Sequence, residues 1–176
     1  LLNYIDVGAQ DSEIKRIVAL RDNLFVLKED GVYIVSGTSA PNFSVTLLDN
    51  SVNMTAPDTA AILNNELYCL TSQGVATISD TGVGIISRGI ENLMNSATNT
   101  RVTNYKTASF GLGYDNDRAY HLWLPTKTND TVATQCYRYN FFNRTWTRFV
   151  VSATCGGVNP NDDKLYYGDG ENNFIR

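Results

Sequence analysis

A short motif returns four times along the chain, at an interval that leaves few folds open. An Asp/Asn-rich turn is followed by an aliphatic–aromatic pair at Arg21-Asp22-Asn23-Leu24-Phe25, Asn64-Asn65-Glu66-Leu67-Tyr68, Asn116-Asp117-Arg118-Ala119-Tyr120 and Asp162-Asp163-Lys164-Leu165-Tyr166. The aromatic positions are separated by 43, 52 and 46 residues, and Asp or Asn stands three residues before each of them. Asx side chains tolerate turn conformations and bond to nearby backbone, and the residues that follow are strand formers.

The first two copies match further. Leu24 to Leu27 and Gly31 to Val35 parallel Leu67 to Leu70 and Gly74 to Ile78. Each reads as two short strands joined by a polar turn, Lys28-Glu29-Asp30-Gly31 or Thr71-Ser72-Gln73-Gly74, where Gly permits positive φ. A strand before each (16–20 and 59–63) makes a three-stranded meander, and 43–48 reads as a fourth, outer strand. The third unit offers strands at 108–114, 118–124, 132–140 and 145–151, and the fourth offers 153–158 and 164–168. A further strand would begin near Phe174-Ile175-Arg176.

Four short antiparallel strands every 40–50 residues or so define propeller blades. A β-sandwich with hairpins at similar spacing is the alternative, since its strands also recur at short intervals. The recurring turn-plus-aromatic register favours an all-β β-propeller, or partial propeller, of four-stranded antiparallel blades with one short inserted helix. The expected domain covers 1–176, with blade-like units at about 14–50, 57–84, 105–151 and 152–176 and a helical insertion at 85–96. In that insertion Ile86, Ile90, Leu93 and Met94 fall on one helical face, with Ser87 as candidate cap and Glu91 in the first turn. At about 45 residues per unit, 176 residues hold three units and part of a fourth, fewer than the four to eight blades of a closed ring. The chain opens on Leu1-Leu2 and not on Met, so a segment of a longer protein is the expectation.

Composition narrows the function classes. The 14 basic and 18 acidic residues give a net charge of −4, a poor match to a nucleic-acid binder that must neutralise phosphates. Asn (19) and Thr (18) dominate the polar positions, which suits tightly turned β structure. No apolar run approaches a membrane span, and the N-terminus lacks a signal-peptide pattern. Cys69, Cys136 and Cys155 show no CxxC spacing and read as free, buried thiols. His121 is the only histidine and alternates with large apolar residues in Tyr120-His121-Leu122-Trp123-Leu124, the pattern of a packed structural residue and not of a catalytic base.

One His and three dispersed Cys give no metal-ligand spacing, and 159–163 lacks the downstream glutamate of a calcium loop. Gly82-Val83-Gly84 and Gly111-Leu112-Gly113 do not extend into phosphate-binding loops. The acidic residues Asp22, Asp30, Asp117, Asp162, Asp163 and Asp169 read as solvated turn carboxylates, against a glycosidase-type pair. The sialidase repeat S-x-D-x-G-x-T-W aligns its close with Thr145-Trp146, but Tyr139, Phe141 and Asn143 stand at its Ser, Asp and Gly positions. Sequons at Asn42, Asn53, Asn129 and Asn143 follow from the Asn/Thr-rich composition. No catalytic, cofactor or metal residue is assigned, no cofactor is expected, and the chain does not read as an enzyme.

Two resemblances remain. Tyr139-Asn140-Phe141-Phe142-Asn143-Arg144-Thr145-Trp146 resembles the kelch segment in which a tyrosine and a tryptophan flank a turn, and Gly156-Gly157 resembles the kelch double glycine; both occur in one unit only. A wider resemblance runs through Leu24 to Gly37, Asn65 to Ile78, Ile86 to Ile90, Arg118 to Leu122, Tyr139 to Trp146 and Leu165 to Gly170. That order is similar to the propeller-bearing nozzle (tail tubular or hub) proteins of short-tailed bacteriophages. The resemblance implies a non-enzymatic structural ring around the DNA exit channel of a virion tail, assembled in the host cytoplasm. Its implied partners are copies of itself and other tail proteins, with transient, non-specific passage of DNA. The alternative function is a kelch- or WD40-like interaction module, and a carbohydrate-active propeller enzyme ranks below both.

Overall fold

The computed structural model describes residues 4–97, 104–170 and Ile175. It is an all-β protein. The strands are β1 (Ile14–Leu20), β2 (Asn23–Lys28), β3 (Val32–Ser36), β4 (Ser44–Asp49), β5 (Ala61–Leu63), β6 (Glu66–Thr71), β7 (Gly74–Ser79) and β8 (Gly82–Ile85). Two short helices follow, α1 (Glu91–Ala97) and α2 (Tyr105–Ala108). After them come β9 (Phe110–Tyr114), β10 (Ala119–Leu124), β11 (Gln135–Asn140), β12 (Thr145–Phe149), β13 (Ala153–Asn159) and β14 (Lys164–Asp169). Three antiparallel four-stranded meanders, β1–β4, β5–β8 and β9–β12, precede the two-stranded sheet β13–β14.

Hairpin chemistry sets the registers. β1 and β2 join through Arg21-Asp22, and β5 and β6 through Asn64-Asn65. Both asparagines have positive φ, 48° and 62°, the conformation of a type I′ turn whose twist matches the strands. Elsewhere the left-handed position is held by Arg21, Arg118 and Arg144 at φ 54°, 50° and 55°, and by Asp163 at 53°. In the turn around Arg144 the Asx side chains bond the backbone: Asn140 Oδ1 accepts the N–H groups of Phe142 and Asn143, and Asn143 Oδ1 accepts that of Thr145. Gly74 has a φ of 113°, and a Cβ there would lie 2.3 Å from the Ser87 hydroxyl oxygen, so glycine is required twice over.

The sheets stack face to face in chain order. Phe25 and Leu27 of the first sheet meet Leu67, Cys69 and Ile78 of the second. The opposite face of the second sheet, with Tyr68, Leu70 and Val75, meets Tyr120, Leu122, Tyr137 and Tyr139 of the third. The third sheet's other face, with Phe110, Trp123 and Cys136, meets Ala153, Leu165 and Tyr167 of the fourth. Because β6 and β10 are covered on both faces, they read as near-continuous apolar runs, not as alternating ones. Each fully buried Leu in these layers contributes about 1.5–3 kcal/mol.

The third copy of the sequence motif is displaced by one residue. Arg118 still belongs to its loop, so β10 starts two residues after the motif's Asp117 and its third residue is His121, whereas β2, β6 and β14 start one residue after the Asx and carry Phe25, Tyr68 and Tyr166 there. A one-residue slip moves a side chain to the opposite face. Tyr120 therefore points back at the second sheet and stacks on Tyr68, with ring centroids 5.4 Å apart.

The insertion expected at 85–96 is corrected in two respects. Ile85 closes β8, a 3₁₀ turn at Arg88–Ile90 leads into α1, and α2 is a second helix. Ser87 makes no side-chain cap bond. Its hydroxyl oxygen instead accepts the buried N–H of Val75 at 2.9 Å, tying the segment to the edge of β7. Ile86 and Ile90 pack on the core, and Met94 is buried in it, whereas Leu93 is exposed. Ser87→Ala is expected to cost about 1–3 kcal/mol, because it leaves the Val75 N–H buried and unpaired. Urea unfolding of the variant measures this, and an unchanged midpoint would show that water reaches the N–H.

Candidate functional site

The first strands of successive sheets converge. β5 lies against β9, and β9 against β13. Together with Arg16 of β1 they line a groove of about 380 Å³. Glycine makes the convergence possible: a Cβ on Gly111 would lie 2.5 Å from the Thr59 carbonyl oxygen, and one on Gly113 2.5 Å from that of Ile62. On the other side, a Cβ on Gly156 would lie 2.7 Å from Leu112 Cδ1. These glycines, which form no phosphate loop, bring the backbones of neighbouring sheets together. The charges at the groove are Arg16 and Asp58, whose nearest atoms are 3.5 Å apart and which are largely exposed, so the pair adds little stability. Cys155 also lines the groove and is exposed, correcting the expectation of three buried thiols; Cys69 and Cys136 are buried. Cys155 is exposed because only its Gly156 and Ala153 neighbours turn toward the third sheet.

A second concavity, about 490 Å³, opens between the second and third sheets. Asn64, Glu66 and Tyr68 line one side, Tyr139, Phe141 and Arg144 the other. The Tyr68 hydroxyl donates to Glu66 at 3.1 Å. Burial, reinforced by the Glu66 charge, pushes the Tyr68 phenol far above its ordinary value, so it serves as a hydrogen-bond donor and not as a base. Tyr139 faces Trp146 across the β11–β12 pair with ring centroids 5.0 Å apart, and the Trp146 indole donates to the Ile86 carbonyl at 3.0 Å. Tyr139 and Trp146 thus anchor the inserted segment against the third sheet. The lining holds one carboxylate, Glu66, and one guanidinium, Arg144, an arrangement suited to binding polar groups; two-carboxylate glycoside chemistry needs a second acid.

Of the six acidic residues read as solvated, Asp169 departs most: it closes β14 and is buried. Asp30 is partly covered. Burial pushes its carboxyl up, but hydrogen bonds from Ser12, Tyr33 and the Ala9 N–H outweigh this and hold it below the ordinary range.

His121 is packed between the third and fourth sheets, stacked on Trp123 at 5.6 Å and edge-on to Tyr114 at 6.2 Å. Burial, with the Arg138 guanidinium nearby, drives its pKa from 6.5 to about 4 despite Asp117. In the unfolded chain the ring takes a proton near pH 6.5, in the folded chain only near pH 4. The stability from the neutral ring is therefore complete above pH 6.5 and is lost as the pH falls to about 4, on the order of 3 kcal/mol in all. Thermal unfolding at pH 7 and pH 4.5 checks this against His121→Phe, which keeps the stack but cannot titrate. Equal pH sensitivity of the two chains would place the dependence elsewhere.

Among the described residues no three His, Cys, Asp or Glu side chains come together to hold a metal ion, and no helix is long and apolar enough to cross a membrane. Fold and concavities define an all-β protein of consecutive, face-stacked antiparallel sheets. No protein-family model matches the chain, and no curated protein matches it in sequence.

Proposed function

We propose that the chain is a structural component of a bacteriophage tail, a β-propeller sector that contributes to a ring around the DNA exit channel. The observation that carries this reading is the convergence of the first strands on one groove through Gly111, Gly113 and Gly156, with whole sheets radiating from it. In a propeller the first strand of each blade lies nearest the axis and the blades stack face to face. The resemblance of the motif order to phage nozzle proteins supplies the biological setting. A chain with a net charge of −4 suits a wall past which DNA slides, since strong phosphate contacts would retard it. Immunogold labelling of virions that carry this gene tests the assignment: label at the tail is expected, and virions free of label would sink it. Tight, steeply salt-dependent DNA affinity of the purified chain would count equally against it.

The cleft rimmed by Glu66, Phe141 and Arg144 favours a second reading, a kelch- or WD40-like interaction module. Under that reading the protein is absent from virions and is recovered with a partner whose binding is lost in Arg144→Ala.

A further inference from the structure

The outer face of the first sheet has the composition of a buried one. Ala19, Leu24, Val26 and Val35 lie on the side opposite Phe25 and Leu27, and among the described residues no sheet covers them. A strap formed by residues 4–12 crosses part of this face instead. It is held by Lys28, only 2% exposed, whose Nζ donates to the carbonyl oxygens of Val7 and Ala9, both at 2.6 Å. Asp30, 3.9 Å from Nζ, accepts the Ser12 hydroxyl at 2.7 Å and the Tyr33 hydroxyl at 2.9 Å. Gly8 lies so close to the Tyr33 ring that a Cβ there would be 2.5 Å away.

The attachment is polar, although the face beneath is apolar. Strap and sheet leave an apolar groove of about 330 Å³, lined in part by Ile5, Ala19, Leu24, Val35 and Phe43. Ile17, Leu47 and Phe43 around it are about half exposed. Among the described residues, the other face of this sheet, both faces of the second and third sheets, and the inner face of β13–β14 are each packed on a neighbouring sheet.

We propose that residues 4–12 are a latched cover, fastened by Lys28 and Asp30, over the surface on which the fourth sheet of a second copy stacks head to tail. The step that carries the first sheet to the second, third and fourth, taken once more, sets the outer face of β13–β14, with Tyr166, against the first sheet of the next molecule. A head-to-tail contact of this kind generates rings or filaments. The latch prevents such association before assembly, because lifting the strap strips Lys28 of both carbonyl partners. The choice of a second copy rests on the assembly reading above. The test reads strap and mass and not virions, so the two can fail separately.

The experiment compares the full chain with Lys28→Met by hydrogen exchange over residues 4–12 and by light-scattering mass at micromolar concentration. The unaltered chain is expected to be monomeric with a protected strap. Lys28→Met is expected to exchange there at least ten-fold faster and to form higher oligomers, which added Leu24→Glu returns to monomer. A strap released without any rise in mass would overturn the second copy as occupant, and unchanged exchange would overturn the latch. Should Lys28→Met not unfold cooperatively, Asp30→Asn, a change at a partly exposed carboxylate, decides by the same two readouts.

Discussion

Gly111→Val is expected to destabilise the protein by about 3 kcal/mol, near the upper end for overpacked sites, and to lower the unfolding temperature by about 6–12 °C at this chain length. The cause is backbone. A Cβ at position 111 would meet the Thr59 carbonyl oxygen at 2.5 Å and the Tyr120 hydroxyl oxygen at the same distance. A flexible neighbour would swing aside, but the Thr59 carbonyl belongs to the turn leading into β5 and already accepts the Tyr120 hydroxyl at 2.7 Å. The second and third sheets must therefore separate where they converge. Gly157 is the control: it also lies within a strand, and a Cβ there meets nothing within 4 Å. Gly157→Val should leave the melting temperature within a few degrees. Equal losses in both variants would mean that strand propensity, not close approach, explains these glycines.

The same glycines show where sequence reading succeeds and where it stops. The Asn64-Asn65 hairpin and the glycines at 31 and 74 were legible, because their backbone conformations demand residue types that stand out locally. The strands of the first sheet and the first three of the second were legible, most of them bounded by such turns. β8 was not, since Gly82-Val83-Gly84 was read only against phosphate loops and Ile85 was given to the helical insertion. The displaced third copy was not. Its Asp-plus-aromatic spacing is intact, and only the extra loop residue Arg118 between Asp117 and the strand, which the motif does not reveal, shifts Tyr120 to the other face; the β13–β14 loop is also four residues long, yet Tyr166 keeps its place. Nor was the burial of Lys28 legible, since its partners are the carbonyls of a strap some twenty residues earlier, and carbonyls carry no side-chain signature. Gly111 and Gly113 were tested against nucleotide loops because the sequence displays what a glycine lacks but not what approaches it. The groove, lined by β5, β9, β13 and Arg16 of β1, depended on that missing information.

Tyr120→Ala is expected to be the most damaging single change, at about 3–5 kcal/mol, and comparison with milder variants assigns the loss to its sources. Tyr120 is fully buried, stacked on Tyr68, and bonded through its hydroxyl to a buried carbonyl. Tyr120→Phe keeps the ring but leaves the Thr59 oxygen without that donor, for about 1–3 kcal/mol. Tyr68→Phe removes a hydroxyl whose partner, Glu66, lines an open cleft where water replaces the lost bond. It should cost less than Tyr120→Phe. The comparison also decides between two alignments of the repeat. If positions 68 and 120 were equivalent, as the motif spacing implies, the two Phe variants would behave alike. In the displaced arrangement Tyr120, and not Tyr68, donates from the third sheet to the turn that precedes β5. Its loss should then add less than its full cost to Gly111→Val, because both changes loosen the same contact. Strict additivity in the double variant, read from denaturant midpoints, would uncouple the hydroxyl from the convergence of the first strands and leave the groove to be held open by the glycines alone.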